Sequence, residues 1–211
     1  MPNGKNKNLS EYSNQCTRIL LIIAVVLTGL TGSVHGITEI LQGNKPANDI
    51  LTRIGAFTII PNYLLTGIFT TVISISVIIW VIFYLHKKFG VIVYFILSIM
   101  LVLFGGGIAI IFGYLLSWPL ALMIDKPFYF WRKLLPDSIR KIFSALWLPA
   151  IIASLLFLCT GVIVWIIYAT PGEIHAISII QYFLWASLLI GGVLLIFSII
   201  SGFARDIELR D

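Results

Sequence analysis

Two pairs of residues in this sequence have the types and spacing that chemistry needs. His35 and Glu39 stand four apart, so on a helix they share one side and together could hold a metal ion or pass a proton. Glu173 and His175 stand two apart in the short polar stretch TPGEIH and would add a second carboxylate and a second imidazole. Two imidazoles and two carboxylates form a donor set that suits a divalent transition metal, so the candidate metal ligands are His35, Glu39, Glu173 and His175. A plainer reading competes with this one. A single HxxxE at the end of an apolar segment is a weak signal, and Glu39 can simply pair with Arg53.

Other recognised chemistry is missing from the sequence. It has no HExxH, GxSxG, Walker loop or CxxC, so no catalytic residue and no cofactor is expected. Cys16 precedes the first apolar segment and Cys159 lies inside a later one, so the two are not expected to form a disulfide.

The elements that must position these residues follow from composition. Of 211 residues, 59% are hydrophobic and only 11% charged, against roughly a quarter charged in ordinary soluble domains. Mean hydropathy is +1.03. Uncharged runs at 54–85, 89–124, 142–172 and 176–204 each exceed the ~20 apolar residues that cross a bilayer as helix. They lack the polar–apolar alternation of a membrane barrel, so the expectation is an all-α, polytopic transmembrane helical bundle. The net charge of +5 comes from basic residues flanking the runs, which read as orientation signals and contacts to anionic lipid headgroups rather than as a nucleic-acid surface.

The sidedness of the chain turns on residues 89–124, a run of 36 residues without Asp, Glu, Lys, Arg or His and with Gly105, Gly106 and Gly107 near its middle. As one helix it would extend ~54 Å, far beyond the ~30 Å hydrocarbon core. As two arms, 89–104 and 108–124, it gives 16 and 17 residues, at the short limit for spans. Glycines can take the positive φ of a tight reversal and let the arms approach. Charge favours the reversal. With a hairpin at Gly105, Gly106 and Gly107 and a cytoplasmic N-terminus, 12 of the 14 Lys and Arg lie inside, leaving Lys45 and Arg53 outside; a single crossing gives at best 9 inside against 5. The expected architecture is therefore six spans, at about 19–41, 62–85, 89–104, 108–124, 147–169 and 177–203, with five spans as the alternative.

Around these, residues 1–17 form a polar N-terminal tail, 18–204 a single transmembrane domain and 205–211 a short charged tail. The first apolar run resembles a secretory signal but continues past Ser33, which favours a retained span. Gly29, Gly32 and Gly36 give it a small-residue face for close helix packing, with Gly32 and Gly36 in GxxxG spacing. A short interfacial helix is expected near Asp49, with Ile50, Ile54 and Phe57 on one face. The next span carries the hydroxyls Thr66, Thr70, Thr71, Ser74 and Ser76. Between the fourth and fifth spans, Trp131, Arg132, Lys133, Arg140 and Lys141 form an aromatic–basic segment suited to a lipid surface.

Three functions fit. One is a membrane accessory or scaffold protein working through helix packing and lipid contacts, alone as a homo-oligomer or with another membrane protein. Another is a small carrier or channel for an uncharged solute, using the hydroxyls from Thr66 to Ser76. The last is a membrane enzyme or metal-binding protein using the outer-face cluster of His35, Glu39, Glu173 and His175. Absence of ionisable residues inside the later spans counts against ion-coupled pumps. The expected location is the inner (plasma) membrane with both termini cytoplasmic.

Overall fold

A computed structural model describes residues 14–47, 58–105, 108–168 and 179–210. Seven helices make up the described chain: α1 (Gln15–Gln42), α2 (Tyr63–Phe83), α3 (Gly90–Leu103), α4 (Ile108–Met123), α5 (Tyr129–Leu134), α6 (Asp137–Tyr168) and α7 (Ile179–Glu208). Four of them, α1, α2, α6 and α7, are long and apolar enough to cross a membrane, while α3 and α4 are shorter apolar helices. An all-helical membrane bundle is the architecture consistent with this set. The short helix expected near Asp49 lies outside the described residues, as do Arg53, Gly106, Gly107, Glu173 and His175.

The chain packs as two units, Met1–Lys126 and Pro127–Asp211. In the first, each helix runs antiparallel to the one before it. Small residues set the α1–α2 contact: a Cβ on Gly36 would stand 2.8 Å from the Gly67 carbonyl oxygen, and one on Gly67 would run into the Gly36 carbonyl oxygen. Only glycine at both positions allows that approach. On α4, Gly113 faces Thr28 of α1 in the same way. The ends of α2 and α3 are joined by two bonds to backbone, Trp80 Nε1 donating to the Gly90 carbonyl (2.8 Å) and Thr70 Oγ1 donating to the Phe104 carbonyl (2.6 Å).

Between α3 and α4 the chain reverses. Tyr94 and Ser117 share a buried hydrogen bond of 2.6 Å, and the rings of Phe95 and Trp118 meet edge to face at 5.5 Å, so the helices lie side by side in opposite directions. Gly105, in the reversal, has φ +108°, a conformation that a side chain would strain.

Polar residues fasten the ends of this unit. Asn62 caps α2, its side chain accepting from the Leu65 amide. Asn14, fully buried, binds the C-terminal end of α4: its amide donates to the Ile124 carbonyl (2.9 Å), and its Nδ2 to the carbonyls of Met123 (2.6 Å) and Lys126 (3.0 Å). Carbonyls at a helix end have no partner within the helix, so Asn14 supplies donors where they are needed. The end of the polar N-terminal stretch is thus part of the packed structure. Cys16 and Thr17 are buried beside it.

The second unit is a long antiparallel hairpin of α6 and α7 with α5 at its polar end. Ser154 Oγ donates to the Gly191 carbonyl at 2.8 Å, and Phe143 meets Phe197 with ring centres 5.1 Å apart. Residues 137–146, charged at their start, are continuous with the apolar part of α6, and Asp137 sits in its first turn. With 32 residues, α6 extends ~48 Å, so its charged first turns reach past a ~30 Å hydrocarbon core. Phe128 and Trp131 pack on Phe203, each with ring centres 5.0 Å away.

Candidate functional site

The inward face of α1 is built from Val25, Gly29, Gly32, Gly36 and Glu39, a run of buried positions at helical spacing. Four of the five are small or apolar. Glu39, in the last turns of the helix, closes the run with a carboxylate whose side chain is 0% exposed. His35 lies one turn back, with Nε2 3.7 Å from Glu39 Oε1. His35 Nε2 and both carboxylate oxygens of Glu39 are buried without a hydrogen-bond partner among the described residues.

α2 answers this face with hydroxyls. Thr66, Thr70 and Ser74, at i, i+4 and i+8, are each fully buried, whereas Thr71 and Ser76 bond back to the carbonyls of Gly67 and Val72 in their own helix. The hydroxyl series read from sequence therefore divides into an inward row of three and two residues satisfied locally. Thr66 Oγ1 stands 3.0 Å from Thr58 Oγ1 and 3.1 Å from the Ile60 carbonyl. The segment holding Thr58 is anchored to the end of α3 by the Ile59 amide, which donates to the Leu103 carbonyl at 3.1 Å.

The α3–α4 reversal covers the same place. Glu39 Oε2 and Thr70 Oγ1 each lie 3.2 Å from the point where a Cβ on Gly105 would stand, and Thr66 Cγ2 crowds it more closely. A side chain at 105 would press on all three. Glycine is required there for φ and for space, and the result is a compact polar centre joining α1, α2 and the reversal.

Electrostatics make this centre unusual. An ionised carboxylate taken out of water costs several kcal/mol unless a charge or hydrogen-bond donors compensate it. Thr70 gives its proton to the Phe104 carbonyl, and α2, α3 and α4 contain no Asp, Glu, Lys, Arg or His. Among the described residues, the one basic side chain beside Glu39 is His35, an ion-pair partner only when its imidazole is protonated.

Of the four residues read as candidate metal ligands, His35 and Glu39 come together, and Glu173 and His175 lie outside the described residues. Among the described residues, no three His, Cys, Asp or Glu side chains gather as a transition-metal site would require. Cys16 and Cys159 form no disulfide, the first being buried and the second exposed.

The residues read as a lipid surface are placed differently from one another. Trp131, Arg132 and Lys133 are on α5, and Trp131 meets Phe130 edge to face and Phe203 at a tilt. Lys141 is exposed on α6. Arg140 turns inward at 9% exposure, with Nε bonded to Glu208 Oε1 and Nη2 3.0 Å from Asp137 Oδ1. Its charge is engaged within the hairpin. Sequence reasoning missed the inward row of Thr66 and Thr70 as neighbours of Glu39, although the four-residue spacing was there to be read.

Comparison of the chain with protein-family models, with characterised proteins and with solved structures finds no match in any of the three.

Proposed function

We propose that the chain is a six-crossing protein of the inner (plasma) membrane, with both termini cytoplasmic, that acts as an accessory or scaffold protein through helix packing and lipid contacts. The crossings are α1, α2, α3, α4, α6 and α7. Twelve of fourteen basic residues on one side support this orientation, as does the antiparallel order of α1 to α4. The aromatic–basic segment with Trp131, Arg132, Lys133 and Lys141 then lies at cytoplasmic headgroups, where anionic lipid favours it.

The observation that carries the accessory reading is how little of the α6–α7 hairpin is covered. Only 22% and 17% of their apolar windows are buried, against 39% for α1 and α2. Leu156, Ile163, Leu189 and Val193 are exposed on its outer faces. Beside them, Gly192 leaves a notch where no atom lies within 4 Å of its absent Cβ, a place where another helix can come close.

Photo-crosslinking from Leu189 and Val193 in intact membranes tests the reading. Discrete adducts with a second polypeptide, or with a second copy of the chain, are expected. Adducts to lipid alone, from a protein that purifies as a monomer, would remove the accessory role.

A further inference from the structure

The geometry points to a binding site for a small monovalent cation at Glu39, formed by its carboxylate with the Thr70 hydroxyl oxygen and the Phe104 carbonyl at the α3–α4 reversal. The inference goes beyond the accessory reading and does not rest on it.

Three observations combine. The Glu39 side chain is wholly buried, and neither of its oxygens has a hydrogen-bond partner among the described residues. Its neighbours offer lone pairs: Thr70 Oγ1 spends its proton on the Phe104 carbonyl, and Thr66 Oγ1 is held by Thr58 and the Ile60 carbonyl. Finally, Glu39 Oε2 and Thr70 Oγ1 come to the same neighbourhood, each 3.2 Å from where a Cβ on Gly105 would stand, with the Thr66 methyl closing that point itself. Oxygen atoms converging without donors are the environment that hard cations take.

Charge sets the valence. Among the described residues, Glu39 has around it His35 from its own helix and the uncharged hydroxyls of Thr66 and Thr70 from α2, and α3 and α4 contain no Asp, Glu, Lys, Arg or His. One carboxylate with one monovalent cation is neutral. A divalent ion would leave an uncompensated positive charge in a low-dielectric interior, at a cost of the same kind as the bare carboxylate. A bound cation would tie together the end of α1, the inward row of α2 and the reversal, so its occupancy should register as stability of the whole first unit.

The test is the thermal unfolding midpoint of the purified full-length chain in nanodiscs, in lithium, sodium, potassium, ammonium or choline chloride at equal ionic strength and two pH values. The expected result is a midpoint raised by one or more of the small cations over choline, rising further with each tenfold increase in concentration. Glu39→Gln should abolish that dependence, and Thr70→Val should weaken it, on top of a choline midpoint lowered by loss of the Thr70–Phe104 hydrogen bond. Equal midpoints in all the chlorides would overturn the site. So would a cation effect that survives in Glu39→Gln, a response to divalent ions alone, or stabilisation by acid with no cation effect, which would mean that Glu39 takes only a proton. Should Glu39→Gln fail to fold, an unaltered cation response in Thr70→Val would overturn the site equally.

Discussion

Tyr94 and Ser117 meet through a hydrogen bond of 2.6 Å in which both residues are fully buried, one on α3 and the other on α4. The bond helps to fix the pairing of the two short helices, beside the edge-to-face contact of Phe95 with Trp118. Tyr94→Phe removes the donor or acceptor and leaves the ring in place. It should lower stability by about 1 kcal/mol, the ordinary net worth of such a bond. Ser117→Ala should cost a similar amount, and the double variant should cost less than the sum, because one shared bond is lost. Denaturant unfolding of the four proteins checks this, and strict additivity would disprove the pairing.

Gly67→Ala should be far more damaging than its size suggests. The new methyl group meets the Gly36 carbonyl oxygen and would stand 2.7 Å from the Ile40 amide nitrogen, and these backbone atoms cannot step aside. Overpacking of this kind costs about 1–3 kcal/mol. Gly192→Ala, where nothing stands near, should change stability by no more than about 0.5 kcal/mol. Thermal midpoints of the two variants in the same detergent compare them directly.

Asn14→Ala should release the C-terminal end of α4. Its Nδ2 bonds to Met123 and Lys126 would be lost, at about 0.5–1.5 kcal/mol each. Faster amide exchange at Leu120, Ala121 and Ile124 is the expected signature. Unchanged protection there would show that the cap is dispensable.

Arg140 and Lys133 should separate by phenotype despite being alike in charge. Arg140→Ala strands Glu208 and should destabilise the hairpin by about 1.5–3 kcal/mol, as expected for a hydrogen bond to a charged group. Lys133→Ala should leave the unfolding midpoint alone and reduce the anionic lipid that co-purifies with the chain. Native mass spectrometry and a melting curve on each variant read both effects.

Single cysteines at Phe130 and His175, in a background with Cys16 and Cys159 replaced, report the number of crossings. Six crossings predict that an impermeant thiol reagent labels position 175 on intact cells and spares 130. The opposite pattern would require residues 89–124 to cross once.

The helices are legible in the sequence because their signal is local. Apolar run lengths place α1, α2 and α7 closely, and the glycines of α1 mark the face that packs on α2. Pairing between residues distant in the chain leaves no such signal. Asn14 and Met123 are 109 positions apart, and nothing near Asn14 says that a helix end will arrive there. Arg140 looks like any flanking basic residue until α7 brings Glu208 back beside it. At the start of α6, the change from charged to apolar residues suggests a boundary between two helices, whereas the helix runs unbroken through it. Glu39 itself is visible in the sequence, but its setting is not, since Thr70 and the reversal at Gly105 reach it only in the folded unit.

The short length of α3 and α4 has a consequence for the lipid around them. At 14 and 16 residues they measure roughly 21 and 24 Å, against ~30 Å of hydrocarbon. As crossings, they would draw the two leaflets toward each other, forming a dimple beside longer neighbours that fit the bilayer without strain. Acyl-chain length would then enter the folding equilibrium, with short-chain or less ordered lipids collecting at that side and thick, sterol-like surroundings disfavouring it.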